Sequence, residues 1–477
     1  MADQKPIKFG TDGWRGIIAE DFTFDNVRLC AQAFAQHLKD SGLAQKGLVI
    51  GYDTRFASED FAKAAAEVIC GNGIKVYLCD KTAPTPVVSY GVVAKKAGGA
   101  IVITASHNPP QWNGFKVKSA DGTSAPTEVV AELEKKITAL AEKGEINRIT
   151  LPEARKQGLL EEIDLAPLYT EQIKKLVDLD GLRKAGLKIA VDSMYGAGAG
   201  YFRTLLDGDT TNITEINGER NPAFPGIKQP EPIAVNLSRL SDKVRQEKAD
   251  VGLATDGDSD RIGIMDENGN FLTQLQAFAL LALYLLEVRG ERGLIVKTIT
   301  ATSMLYRLGE IFNVPVYETP VGFKYIAPIM LERDALVGGE ESGGYGYRGH
   351  VAERDAILSG LYFLDFMAKT GKTPSQLLDY LYSKVGPHYY SRVDIEFAEE
   401  QKAEIISRVR DSLPETLGGV KVTKKDTIDG FRFTLDDSSW LLIRFSGTEP
   451  LLRIYSESGS QQRAEELLEL GRGIAGV

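Results

Sequence analysis

The sequence predicts an α/β chain made of three related α/β units and a smaller C-terminal α+β domain. Three observations carry that prediction. Short β-branched runs alternate with helical patterns through the first three-quarters of the chain. A strand–helix–strand–helix–strand pattern occurs three times, and each copy ends in a polar, glycine-rich loop. The remaining quarter switches to short strands and turns between two amphipathic helices.

The first copy runs from Gly47-Leu48-Val49-Ile50 through Ile74 to Leu78 to the apolar run Gly99 to Ile103, which ends at Ser106. The second runs from Leu187 to Val191 through Asn212 to Ile216 to Val251 to Ala254, which ends at Asp256. The third runs from Gly293 to Val296 through Val314 to Tyr317 to Gly338-Gly339-Glu340-Glu341-Ser342-Gly343-Gly344. Identity between the copies is negligible, so only the pattern repeats. Linker-like stretches at Lys143 to Asn147, Glu153 to Lys156 and Gly371 to Pro374 suggest units at 1–150, 151–267, 268–375 and 376–477. In the tail, Tyr389 to Glu396 reads as a strand, Glu399 to Leu413 as a helix, and Gln461 to Arg472 as a closing helix.

A chain of 477 residues exceeds one ordinary core, and about three or four domains is the expectation for that length. The net charge of −10 argues against nucleic acid as the main partner, though local Arg and Lys can still bind small anions. Cys30, Cys70 and Cys79 form no metal clip, and their odd number suits a reducing cytoplasm. The start of the chain lacks a signal-peptide plan. The longest apolar run, Ala277 to Leu286, is too short to cross a bilayer and reads as a core helix, so no membrane partner is expected.

Functional groups gather at strand ends, where a sheet can aim them. Ser106 sits between His107 and Lys116 in such a loop. A serine needs an activating neighbour to act as a nucleophile; otherwise it caps a turn. His107 is adjacent, but side chains of neighbouring residues in extended chain diverge, which argues against a direct Ser–His pair. Asp256, Asp258 and Asp260 offer hard oxygen ligands at alternate positions, a spacing that suits Mg²⁺ or Ca²⁺. An EF-hand is excluded by Arg261 at its sixth position and by strand-like flanks. An aspartyl-phosphate enzyme and a solvated acidic turn are the other readings; mutual repulsion of three carboxylates favours a cation. Glu340, Glu341 and Ser342 offer two carboxylates and a hydroxyl among glycines, which could bond sugar hydroxyls. Arg444, Ser446, Gly447, Thr448 and Arg453 could cradle a phosphate, and Arg15 lies among three glycines near the start.

Five segments in order resemble the α-D-phosphohexomutase superfamily: Phe9 to Gly16, Thr104 to Pro109, Asp256 to Arg261, Gly339 to Gly343, and Arg444 to Pro450. The resemblance covers nearly the whole chain. It implies three α/β units and a C-terminal phosphate-binding domain around a central cleft. It also implies a phosphoserine at Ser106, with Mg²⁺ held by that phosphate and by Asp256, Asp258 and Asp260. The implied reaction moves a phosphoryl group between the 1- and 6-positions of a phosphosugar, glucose or mannose, through a hexose 1,6-bisphosphate. Arg15, Lys116 and Arg261 would supply positive charge, and His107 or Lys116 would move the proton. Glu340 and Ser342 would grip the sugar, with Gly322 and Lys324 adding contacts. Arg354, Arg444, Ser446, Gly447, Thr448 and Arg453 would hold the phosphate that stays put. Reorientation of the substrate implies a hinged fourth domain, with Gly371 to Pro374 as the expected hinge. Many phosphomannomutase/phosphoglucomutase and phosphoglucosamine mutase relatives carry His where this chain has Gly344, which disfavours glucosamine 6-phosphate. A phosphoglucosamine mutase and a Mg²⁺-dependent sugar phosphatase are the alternatives. The expected assembly is a monomer or homodimer.

Overall fold

A computed structural model describes residues 6–10, 12–412, 414–445 and 451–477. Each of the first three units holds a sheet with the same core connectivity. In the first, strand Leu48–Tyr52 is flanked in parallel by Val76–Cys79 and Ala100–Ile103, and the latter turns back into antiparallel Trp112–Lys118. In the second, Lys188–Asp192 is flanked by Asn212–Ile216 and Val251–Thr255, which turns back into Ile262–Met265. In the third, Ile295–Thr298 is flanked by Val316–Thr319 and Val337–Gly339, which turns back into Tyr345–Tyr347. The Ser106, Asp256 and Glu340 loops are therefore the same connection three times, joining the third parallel strand to its antiparallel return. Parallel strands buried on both faces read as near-continuous apolar runs in the first two units, which is why the pattern is visible in the sequence, while the third unit's Ile295–Thr298 buries Lys297 and Thr298.

One large apolar core spans these three units, and the run Ala277 to Leu286 is buried inside it. No helix among the described residues is long and apolar enough to cross a membrane. The C-terminal domain has a separate core under a six-stranded antiparallel sheet. Its helices, Lys402–Asp411 and Gln461–Ala475, pack together, as the tail pattern predicts.

Two segments expected to be linkers are not. Glu153 to Lys156 lies in helix Leu151–Lys156, whose Ala154 is fully buried. Strand Leu160–Ile163 then adds to the first sheet beside Val76–Cys79, so that sheet continues past residue 150. Gly371 to Pro374 is a tight turn between helices Ala356–Thr370 and Pro374–Val385, closed by Gly371 in the left-handed region and capped by Thr373. Helix Pro374–Val385 packs on Gln274–Leu283, inside the third unit, so this turn is not the expected hinge. The crossing to the last domain comes at residues 386–388, beginning with Gly386 at φ +81°. That domain docks on the third unit through Ile299, Trp440, Leu442 and Tyr455, and through Arg432, which forks onto Glu318 at 2.5 Å with each nitrogen. Burial opposes ionisation of Glu318, but Lys297 and Arg432 win and bring its carboxyl down to about 2.

Asp192 ends the strand Lys188–Asp192 and shapes the turn behind the Asp256 loop. Its Oδ1 accepts from the Met194 N–H (2.9 Å) and from Asn217 (2.8 Å), while the buried Oδ2 has no hydrogen-bond partner among the described residues. Burial pushes its carboxyl up to about 6. A raised acid pKa contributes stability that is complete below about pH 4 and lost as pH rises through 6. Asp192→Asn should therefore raise the melting temperature at pH 8, a gain of about 1–2 kcal/mol, and leave it unchanged at pH 3.5. Thermal melts at the two pH values check this.

Candidate active site

The serine loop and the acidic loop meet. Asp53, just past the strand Leu48–Tyr52, accepts from Thr104 Oγ1 at 2.6 Å, and that hydroxyl accepts the Ser106 N–H at 2.9 Å. Ser106 has φ +52° and is 1% exposed. Its Oγ donates to Asp256 Oδ2 at 2.8 Å and lies 3.3 Å from His107 Nδ1. The sequence argued against a Ser–His contact on the assumption of extended chain; the left-handed backbone at Ser106 bends the two side chains together. Gly257 permits the close approach of the loops, because a Cβ there would sit 2.5 Å from the Ser106 carbonyl oxygen.

The three carboxylates converge, with one oxygen from each within 4.8 Å of the others. Asp256 Oδ1 accepts the N–H groups of Asp260 (2.9 Å) and Arg261 (3.0 Å), which curls the loop. Asp258 Oδ2 accepts from Thr85 Oγ1 (2.5 Å) and Lys116 (2.8 Å). Asp260 Oδ2 faces Lys116 (3.2 Å) and Arg354 (2.9 Å). The other oxygens of Asp258 and Asp260 are buried without a hydrogen-bond partner among the described residues. Burial, then the neighbouring Asp260 and Asp258, pushes the Asp256 carboxyl well up. Burial would raise Asp258 too, but Lys116 and Thr85 hold it well below the usual range. Oxygen atoms left bare in a buried acidic cluster fit a hard divalent cation such as Mg²⁺.

Lys116 is buried and also reaches Asp12 at 2.7 Å. Burial disfavours its charge, but Asp12, Asp258 and Asp260 overcome that and raise its pKa. Arg354 is similarly committed, to Asp12 (2.5 Å), Asp260 and Glu353 (3.1 Å), with Glu340 at 3.6 Å. Burial, then the cations Arg261, Arg15, Lys116 and Arg55, pushes His107 well below its ordinary pKa, so its imidazole is neutral.

Above this floor opens a cleft of about 400 Å³ walled by all four units. The first unit contributes Arg15 and His107, the second Arg261. The third brings Gly322, Glu340, Ser342 and Arg354, and the fourth Arg444 and Arg453. Arg15 is anchored to Asn108 at 2.6 Å, and Arg261 pairs with Glu231 at 3.3 Å. Arg444 faces Asp429 (3.0 Å) and Arg453 faces Asp394 (3.5 Å). Lys324 does not line the cleft; its ammonium lies 5.3 Å from the Tyr325 ring centre. Ser446, Gly447 and Thr448 lie outside the described residues. A larger cavity of about 560 Å³ lies between the first two units near Tyr201 and Arg220, but it holds none of the clustered carboxylates.

Sequence reasoning missed Asp12, Thr85, Arg55 and Arg392, the last of which lines the cleft and pairs with Glu341 at 3.2 Å. Asp12 stood inside a recognised segment without a role. Thr85, Arg55 and Arg392 carried no local signal. The Gly344 departure has a packing consequence: a Cβ there would meet Arg354 Cδ at 2.4 Å.

Comparison with known proteins agrees with this fold. Residues 6–144, 167–269 and 275–385 match the profiles described as phosphoglucomutase/phosphomannomutase α/β/α domains I, II and III. Residues 395–470 match the C-terminal domain of the same family. A Thermococcus kodakarensis protein named phosphoglucomutase/phosphomannomutase is 34% identical over 97% of both chains. A Methanosphaera stadtmanae protein named "Probable phosphoglucosamine mutase" is 32% identical, covering 97% of this chain and 96% of its own. A Thermus thermophilus crystal structure named for phosphomannomutase superposes with a TM-score of 0.85 at 34% identity, over 99% of this chain and 100% of that one. With its four domains in family order and the serine and acidic loops in contact, the chain belongs to the phosphoglucomutase/phosphomannomutase family of the α-D-phosphohexomutase superfamily, whose members are sugar-phosphate isomerases.

Proposed function

We propose that the protein interconverts hexose 1-phosphates and hexose 6-phosphates, glucose first and mannose second, through a phosphoserine at Ser106 and a hexose 1,6-bisphosphate. The observation that carries this reading is the Ser106 hydroxyl, 2.8 Å from the acidic triplet at the foot of a cleft to which four units contribute. In the first transfer the Ser106 Oγ–P bond breaks and a bond from the sugar's free hydroxyl oxygen to phosphorus forms. The hydroxyl proton leaves to a base, and Ser106 Oγ takes up a proton. The bisphosphate turns over, and the second transfer reverses these bond changes with the other phosphate.

Mg²⁺ held by Asp256, Asp258 and Asp260 would supply positive charge beside the phosphoryl oxygens. The neutral imidazole of His107, facing the cleft and touching Ser106, suits it to accept the sugar's proton. Lys116, held charged by three carboxylates, serves electrostatics better than proton transfer. Arg354, held by Asp12, Asp260 and Glu353, supports the triplet, and Arg444 and Arg453, each beside a single carboxylate on the cleft wall, would hold the resting phosphate. Glu340 and Ser342 face the sugar. Gly344, in place of the His that many phosphomannomutase/phosphoglucomutase and phosphoglucosamine mutase relatives carry, supports glucose first; the relatives named for phosphoglucosamine keep that substrate as the second reading.

The test supplies glucose 1-phosphate, Mg²⁺ and a trace of glucose 1,6-bisphosphate. Glucose 6-phosphate is the expected product, and release of inorganic phosphate alone would replace the mutase with a phosphatase. Mannose 1-phosphate and glucosamine 1-phosphate in the same assay rank the hexoses, with the highest kcat/KM expected for glucose.

A further inference from the structure

The shape of the serine loop depends on a side chain outside every recognised segment. Arg55 is completely buried. Its NH2 group donates to the carbonyls of Ser106 and Asn108, each at 2.6 Å. Its NH1 group donates to those of Pro109 (2.9 Å) and Trp112 (3.0 Å). Its Nε pairs with Asp53 Oδ2 at 3.1 Å. One planar fork thus binds four carbonyls of a single loop, which an ammonium cannot do from one point. Asp53 holds the other side, since it fixes Thr104 Oγ1, which takes the Ser106 N–H. Both backbone polar groups of Ser106 therefore trace back to the Asp53–Arg55 pair. From the second unit, Phe224 covers the guanidinium with its ring centre 5.1 Å away.

This bracing matches a need. Ser106 at φ +52° occupies a region that residues other than glycine rarely adopt, and such backbone persists only where its surroundings over-determine it. We propose that Arg55 is a positioning residue for phosphoryl transfer. It keeps Ser106 in the left-handed conformation that aims Oγ at Asp256, and it does so by the geometry of its fork rather than by its charge. The inference rests on the phosphoserine mechanism proposed above. Arg55 is not among the residues lining the cleft, so sugar-phosphate binding should be indifferent to it.

The experiment compares Arg55→Lys and Arg55→Met in the full chain, with glucose 1-phosphate, Mg²⁺ and glucose 1,6-bisphosphate. Both variants should lose about 10²-fold in kcat, the cost of misplacing a reacting group by an ångström, with KM within about threefold of wild type. Methylguanidinium added to Arg55→Ala should restore part of the lost kcat. A wild-type kcat in Arg55→Lys would overturn the geometric role, and so would a loss confined to KM. Should the Arg55 variants not fold, Phe224→Leu keeps the fork but removes its cover. A several-fold fall in kcat at constant KM is then expected, and unchanged kcat overturns the proposal. Intact mass separates the two levels. Wild type that gains no phosphate at Ser106 from the bisphosphate defeats the phosphoserine mechanism itself. Wild type and Arg55 variants that gain it at equal rates defeat only the positioning role.

Discussion

Ser106→Ala should lower the rate of hexose-phosphate interconversion by at least about 10³-fold while leaving the protein folded. The substitution removes the oxygen that both donates to Asp256 and touches His107. Little else changes. The backbone N–H stays on Thr104 Oγ1 and the carbonyl stays on Arg55, so the loop keeps its braces. Alanine meets the same left-handed backbone that serine already tolerates. The Asp256 carboxyl loses one donor but keeps two backbone N–H groups on its other oxygen. A coupled assay for glucose 6-phosphate, a melting curve and intact mass after bisphosphate treatment read the result together. Near-normal turnover from a normally folded variant would remove Ser106 from the chemistry.

Asp258→Asn should reduce kcat by about 10²-fold or more and raise the Mg²⁺ concentration for half-activity at least about tenfold. The reason is how the amide must sit. Asp258 Oδ2 accepts from Lys116 and Thr85, both donors there, so the asparagine oxygen will take that side. Its NH₂ then points where the partnerless Oδ1 stood, presenting hydrogens to the cation instead of a lone pair. One negative charge is lost as well, which leaves Lys116 balanced by Asp12 and Asp260 alone. A Mg²⁺ titration of activity, paired with direct Mn²⁺ binding, measures both effects. An unaltered titration would show that the triplet is not the metal site.

Much of the architecture is legible in the residue order. Strands buried on both faces are mostly apolar, so Ala100–Ile103, Val251 to Ala254 and Val337–Gly339, each followed by polar residues, mark the ends where Ser106, Asp256 and Glu340 stand. Boundaries are less legible. The charged run at Glu153 to Lys156 looks like a linker because its exposed side dominates the composition, yet buried Ala154 anchors it as a helix. The turn at Gly371 to Pro374 has the composition of a hinge, and only the packing of the helix after it on Gln274–Leu283 shows that it joins two parts of one unit. The Ser106–His107 contact is hidden because no local rule announces a left-handed serine.

The amino-acid order by itself determined the inventory: three repeated strand-end loops, a hydroxyl on one, three carboxylates on the next, a glutamate and a serine among glycines on the third, and arginines in a tail with its own core. Tertiary structure alone decided how those charges are spent. Lys116 and Arg354 looked like free cations, and both are held by acids up to 342 positions away along the chain. Arg55, silent in the sequence, emerged as the brace of the serine loop. The reason is physical: strand and helix periodicity is written over a few neighbouring residues, whereas a buried charge is settled by whichever opposite charge folding brings within about 4 Å of it.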